Sequence, residues 1–252
     1  MVRRHAIIAF LTFGLGFSAV QAVAVSYPFN FADGTHSALA TFEQSGTNLF
    51  VTLTNTSPED VLNPTDILTA VFFTLAGDPT LTPVSAILGT GSTVLFSTPC
   101  LVGGTPSPCL GPGVGGEWAY KNNLAGAPLG ADEGISSSGL GLFGPKDLFP
   151  PAVNLQGTLS PGGLQYGITS AGDDPSTGNS AVTGGNALIK NSVVFTLSGL
   201  SDYTLGAESI KDVSFQYGTS LSNPVPEPGT LVLLASGLIG VAAFGRRLRK
   251  RG

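Results

Sequence analysis

The stretch "SALATFEQSGTNLFVTLTNTS", Ser37 to Ser57, sets the fold class. Leu49, Val51 and Leu53 alternate with Phe50, Thr52 and Thr54, the period of two that turns every second side chain to one face of a strand. The run Ala38 to Gln44 precedes it, and the Gly-containing stretch Ser45-Gly46-Thr47-Asn48 between the two reads as a hairpin turn. Outward from this hairpin, β-branched and aromatic runs recur at Ile67 to Leu75, Thr93 to Ser97, Leu188 to Leu197 and Asp212 to Tyr217. No stretch between the termini carries a sustained helical period with caps. Short strands separated by Gly, Pro and Asn turns predict an all-β domain, an antiparallel β-sandwich of jelly-roll or immunoglobulin-like type. Its long Gly/Pro-rich loops fall between Gly103 and Gly185, in clusters such as "GPGVGG" and "SAGDDPSTGN", and are expected to run over the surface.

Composition agrees with a turn-rich folded body. Charged residues make up 11% of the 252, well below the roughly 25% of ordinary soluble domains, while Gly (35) and Pro (18) together are nearly twice their usual share. An apolar content of 42% with fifteen Phe provides enough surface to bury for a core to form. The charge is segregated by position. Between Val23 and Val225 there are fifteen acids against Lys121, Lys146, Lys190 and Lys211, a net −11, with no Arg. Such a body lacks the basic footprint that nucleic acid requires.

Both ends depart from this pattern. At the N-terminus Arg3 and Arg4 precede an apolar run from Ala6 to about Val20, followed by small residues at alternating positions, the layout of a secretory signal peptide. Cleavage is expected after Ala22 or Ala24, so residues 1–24 are assigned to the signal and 25–222 to an extracytoplasmic β-rich domain. Export by the Sec machinery and cutting by signal peptidase follow.

At the C-terminus, residues 223–252, Pro226, Glu227 and Pro228 lead into 17 uncharged residues, Gly229 to Gly245. As a helix these span roughly 25 Å, at the short limit for crossing a bilayer. Arg246, Arg247, Arg249, Lys250 and Arg251 follow as a basic stub, which the positive-inside rule leaves in the cytoplasm with the body outside. The two prolines cannot extend the helix backward, so "VPEP" is an extended stretch that a protease can bind as a strand.

Pro-Glu-Pro, an apolar helix and an arginine cluster in that order resemble the PEP-CTERM sorting signal of Gram-negative bacteria. The resemblance implies an exported protein, anchored in the inner membrane by its C-terminal helix and then processed by the membrane enzyme exosortase, with Pro226, Glu227 and Pro228 as the recognition motif. It also implies a final place at the cell surface or outside it, commonly in species that build exopolysaccharide.

Few residues of the body carry chemistry. Cys100 and Cys109, the only cysteines, are expected to close a surface loop as a disulfide. His36, the one histidine outside the signal, has Asp33 three residues before it, but no Gly-x-Ser-x-Gly elbow accompanies the pair. The adjacent acids Asp132-Glu133 and Asp173-Asp174 read as solvated loop residues; "GDDPSTGN" lacks an EF-hand spacing, and no metal or cofactor is expected. Trp118 and Tyr120 in "GGEWAYKNN" have two readings, a strand with both rings in the core or an exposed platform for a sugar ring beside Asn122 and Asn123. The expectation is a non-enzymatic surface or matrix protein associated with exopolysaccharide. The alternative is a secreted carbohydrate-binding or carbohydrate-active protein with the same sorting tail.

Overall fold

The computed structural model describes residues 25–96, 100–102, 105–107, 113–138, 153–155, 163–179, 182 and 187–219; for 100–102, 105–107 and 153–154 it gives the course of the backbone. Fifteen strands are present among them: β1 Ser26–Ala32, β2 Ser37–Ser45, β3 Asn48–Asn55, β4 Leu68–Leu75, β5 Thr82–Leu88, β6 Thr93–Leu95, β7 Cys100–Val102, β8 Thr105–Ser107, β9 Ala119–Lys121, β10 Glu133–Ser136, β11 Val153–Asn154, β12 Ile168–Thr169, β13 Leu188–Lys190, β14 Ser192–Ser198 and β15 Ile210–Tyr217. They form a five-stranded sheet in the order β1-β2-β3-β14-β5, an eight-stranded sheet in the order β11-β9-β10-β4-β12-β13-β6 with β15 also on β4, and a separate β7–β8 hairpin.

The predicted hairpin is β2–β3, with Ser45 opposite Asn48 and Thr41 opposite Thr52. Gly46 has φ +59, and only Gly-Thr separates the strands, the pattern of a type II′ turn with Gly at its first central position. Along β3 the odd-numbered residues Leu49, Val51, Leu53 and Asn55 are buried and the even-numbered ones half-buried, as the alternation requires. The two sheets pack face to face through these inward rows. Phe42 of β2 meets Phe73 of β4 at 5.1 Å between ring centroids and 70° between planes, and Phe195 of β14 meets Trp118 at 4.9 Å. Each such ring, fully buried, contributes about 1.5–3 kcal/mol of hydrophobic stabilisation. Asn55, buried at the end of β3, donates from Nδ2 to the carbonyl of Ile168 at 2.9 Å and so ties the smaller sheet to β12 of the larger.

Three expectations change. The run Leu188 to Leu197 is two strands, because Asn191 adopts φ +87 and the chain crosses there from the larger sheet (β13) to the smaller (β14). Asn enters the left-handed region more readily than other residues with a Cβ, so it can mark such a corner inside an otherwise strand-like run. The sandwich is not purely antiparallel: β12 and β13 pair in parallel, with Ile168 opposite Ile189. The long connection between them supplies the crossover length that a parallel pair needs. Finally, the Gly-rich middle is not all surface loop, since it contains β9 and β10, and Trp118 just before β9 and Ile135 of β10 lie fully buried in the main core.

Candidate functional site

The sequence-predicted residues fall in three places. The first is the β1–β2 turn, where Asp33 Oδ1 accepts hydrogen bonds from the amides of Thr35 (3.1 Å) and His36 (2.7 Å). The His36 ring then stands between two carboxylates, Nδ1 at 3.3 Å from Asp33 Oδ2 and Nε2 at 3.1 Å from Asp66 Oδ1, with its centroid 4.6 Å from that of the Tyr217 ring and the planes tilted by 40°. The hydroxyl of Thr35 lies 3.4 Å from Nδ1. Burial acts to raise the Asp33 carboxyl, but the hydrogen bonds from His36 and Thr35 and the charge of His36 together outweigh it and hold the carboxyl below its usual range. This geometry clasps the β1–β2 turn to the 64–66 segment. A general base needs a ring nitrogen turned to a nucleophile, and here each nitrogen faces a carboxylate.

The second place is the 173–179 loop. Asp173 is buried and its Oδ1 accepts the Val61 amide at 2.8 Å, while its backbone carbonyl accepts Lys190 Nζ at 2.7 Å. Asp174 Oδ1 accepts the amide (3.0 Å) and hydroxyl (2.7 Å) of Ser176, and Asp60 accepts the Asp174 amide and the Thr177 hydroxyl. These oxygens pin the loop to the segment before β4. Among the described residues no group of three or more His, Cys, Asp or Glu could hold a metal ion.

The third place is the β9–β10 corner, and here the sequence reading needs correction. Trp118 is fully buried and Tyr120 is 4% exposed, so neither ring offers a face to a sugar. The strand period puts both on the same, inward side, which is the core alternative of the two readings. Tyr120 donates its hydroxyl to Oε1 of Glu133 at 3.3 Å. Glu133 is itself 1% exposed, whereas its neighbour Asp132 is exposed, so the two adjacent acids point opposite ways and do not form a carboxylate pair. Burial first, reinforced by the negative charges of Asp78 and Asp132 and partly offset by the Tyr120 hydrogen bond, pushes Glu133 up to about 8. Glu117, in the 3-10 turn Gly115–Glu117, is fully buried with both carboxyl oxygens unpartnered among the described residues; burial pushes it up to about 7. Sequence reasoning passed over Glu117. Its one visible signal is an acid set between glycines and a Trp-Ala-Tyr strand.

Several predicted sites lie outside the described residues: the signal peptide, Cys109, and the tail with Pro226, Glu227, Pro228, Arg246, Arg247, Arg249, Lys250 and Arg251. For Cys100 the structure gives the backbone only, opposite Ser107 in the β7–β8 hairpin. Among the described residues no helix is long and apolar enough to cross a membrane. The tail is reached by comparison with known families, where residues 224–250 match the model described as the PEP-CTERM protein-sorting motif. The chain carries a PEP-CTERM sorting motif. The matched span includes Pro226, Glu227 and Pro228, the whole apolar run, and the basic residues up to Lys250. No curated protein and no solved structure matches the chain. The PEP-CTERM motif therefore speaks for the tail, and the β body has to be read from its own geometry.

Proposed function

We propose that this is an exported protein whose PEP-CTERM tail is the substrate of an exosortase, and whose β-sandwich is a non-enzymatic surface or matrix module associated with exopolysaccharide. The observation that carries the reading is the motif match over residues 224–250. It is supported by the order of the parts: a Pro-Glu-Pro whose prolines cannot extend a helix backward, an apolar run to hold the chain in the membrane, and a basic end that fixes orientation. The non-enzymatic body draws support from the described side chains. The His36 ring nitrogens face Asp33 and Asp66, and the loop acids are engaged by backbone amides and hydroxyls. Burial of Trp118 and Tyr120 takes away the exposed aromatic platform on which the carbohydrate-binding alternative drew.

Terminal-peptide mass spectrometry on protein from the outer surface and medium tests the routing, in a host with its exosortase intact and in one lacking it. The expected result is a new C-terminus between Pro226 and Gly229 that depends on the enzyme. An intact Arg-rich end in both hosts would overturn the proposal and leave a permanently anchored membrane protein.

A further inference from the structure

The two buried glutamates of the third site stand close in the chain, at either side of β9, and the routing proposal makes no use of them. Glu117 ends the 3-10 turn that enters β9, and Glu133 begins β10, which pairs with β9 through Gly134 opposite Lys121 and Ile135 opposite Tyr120. Among the described residues neither carboxyl has a cation against it. Glu133 is faced by Tyr120 from β9, by Asp78 from the turn after β4 and by Asp132 of its own segment, while Lys121 occupies the position opposite Gly134 on the other face of β9. Among the described residues no charged group faces Glu117. A carboxylate in such surroundings is far more costly than the neutral acid, so each side chain is held protonated by its burial.

The position of β9 makes that condition local. It has three residues, and β11, its partner on the side away from β10, has only two. A short strand near a sheet edge can open without unfolding the centre, whereas β4, flanked by β10, β12 and β15 and buried on both faces, cannot. We propose that the β9–β10 corner is a proton-held latch: with Glu117 and Glu133 neutral it is closed over the core, and removal of their protons frees β9 while the rest of the sandwich stays folded.

Trp118 reports on this directly, because it lies between Glu117 and β9 and is the only tryptophan in the chain. The experiment follows its emission and its quenching by acrylamide in the full chain, purified in detergent micelles, from about pH 5 to about pH 9.5, a range that spans the raised glutamates. The latch predicts a red shift and a several-fold rise in quenching across this range, with the far-ultraviolet strand signal unchanged. Glu117→Gln should remove the part of the rise nearer neutrality, Glu133→Gln the more alkaline part, and the double variant should stay blue and protected throughout. Flat quenching in the unmodified chain would overturn the proposal. So would a double variant that follows the unmodified curve, or a loss of strand signal together with the rise in quenching, which would mean global unfolding. Should Glu133→Gln fail to fold, difference infrared spectroscopy on the unmodified chain decides: the carbonyl stretch of protonated carboxylic acid must be present at about pH 6 and fade as quenching rises. Absence of that band would also overturn the latch.

Discussion

Trp118 shows how one residue can be ambiguous in sequence and decided in structure. The period of two in "EWAYK" puts Trp118 and Tyr120 on one face, but it does not say whether that face looks inward. The core does, because Phe195 of the opposite sheet stands 4.9 Å from the indole. Truncating a fully buried aromatic leaves a cavity that a packed interior fills only partly, so Trp118→Ala should cost about 3–5 kcal/mol, read as a lower urea midpoint. Trp118→Phe should recover most of that loss. The indole Nε1 is buried without a hydrogen-bond partner among the described residues, so the phenyl ring gives up packing and no hydrogen bond. Equal losses for the two variants would refute this account. Gln44 makes a similar point on a polar side chain: its amide donates to the Tyr203 carbonyl at 2.7 Å and accepts from the Leu205 amide at 2.7 Å. Nothing in "FEQSG" announces those partners, since they come from far along the chain.

At the scale of elements, the β2–β3 hairpin was fully legible, because its alternation and its turn chemistry lie within one short stretch. Its end is also where two glycines can be told apart. Gly46 sits at φ +59 in open space, and Gly199, after β14, sits at φ +132 where a Cβ would come within 2.2 Å of the Thr80 carbonyl oxygen. The amide of Gly199 donates to the Thr47 carbonyl at 3.0 Å, so it cannot swing away without breaking that tie. Gly46→Ala should cost about 1 kcal/mol from backbone strain alone. Gly199→Ala should cost more than twice as much, because steric overlap adds to the strain. Thermal unfolding of both variants is the measurement, and a Gly199→Ala protein as stable as Gly46→Ala would contradict the contact. Other elements escaped the sequence for identifiable reasons. β5, with Pro83 near its start and a register shift in its pairing to β14, is an edge strand that lacks a clean alternation. β9, β10 and β12 are too short for periodicity to register.

For the whole molecule, the buried acids set how stability depends on pH. The folded-state values of Glu117 and Glu133 lie above those of the unfolded chain. Their contribution is therefore complete below the ordinary carboxyl range near 4.5 and is lost as pH rises through about 7 for Glu117 and about 8 for Glu133. Asp33, held low, acts in the opposite sense, with a contribution present above the ordinary range and lost in acid. The melting temperature should accordingly be higher at about pH 5 than at about pH 9, by ~5 °C or more. Glu133→Gln should flatten the alkaline side of that curve, and a melting temperature that rises steadily from pH 5 to pH 9 would rule out buried neutral acids. The charge distribution also belongs to this scale. Two of the charges in the formal −11 between Val23 and Val225 belong to these acids, which the fold buries and the unfolded chain would hold ionised.

Local pattern was enough for the all-β class, the first hairpin and the PEP-CTERM tail, because each is written in neighbouring residues: a period of two, a Gly turn, or a motif of fixed order. The assembled sandwich settles which face of each strand is the core, where the chain changes sheets at Asn191, and that Glu117 and Glu133 are buried with no counter-charge among the described residues. Those outcomes depend on what is brought opposite across the sandwich, from residues tens to more than a hundred positions away, and local pattern carries no information about that encounter.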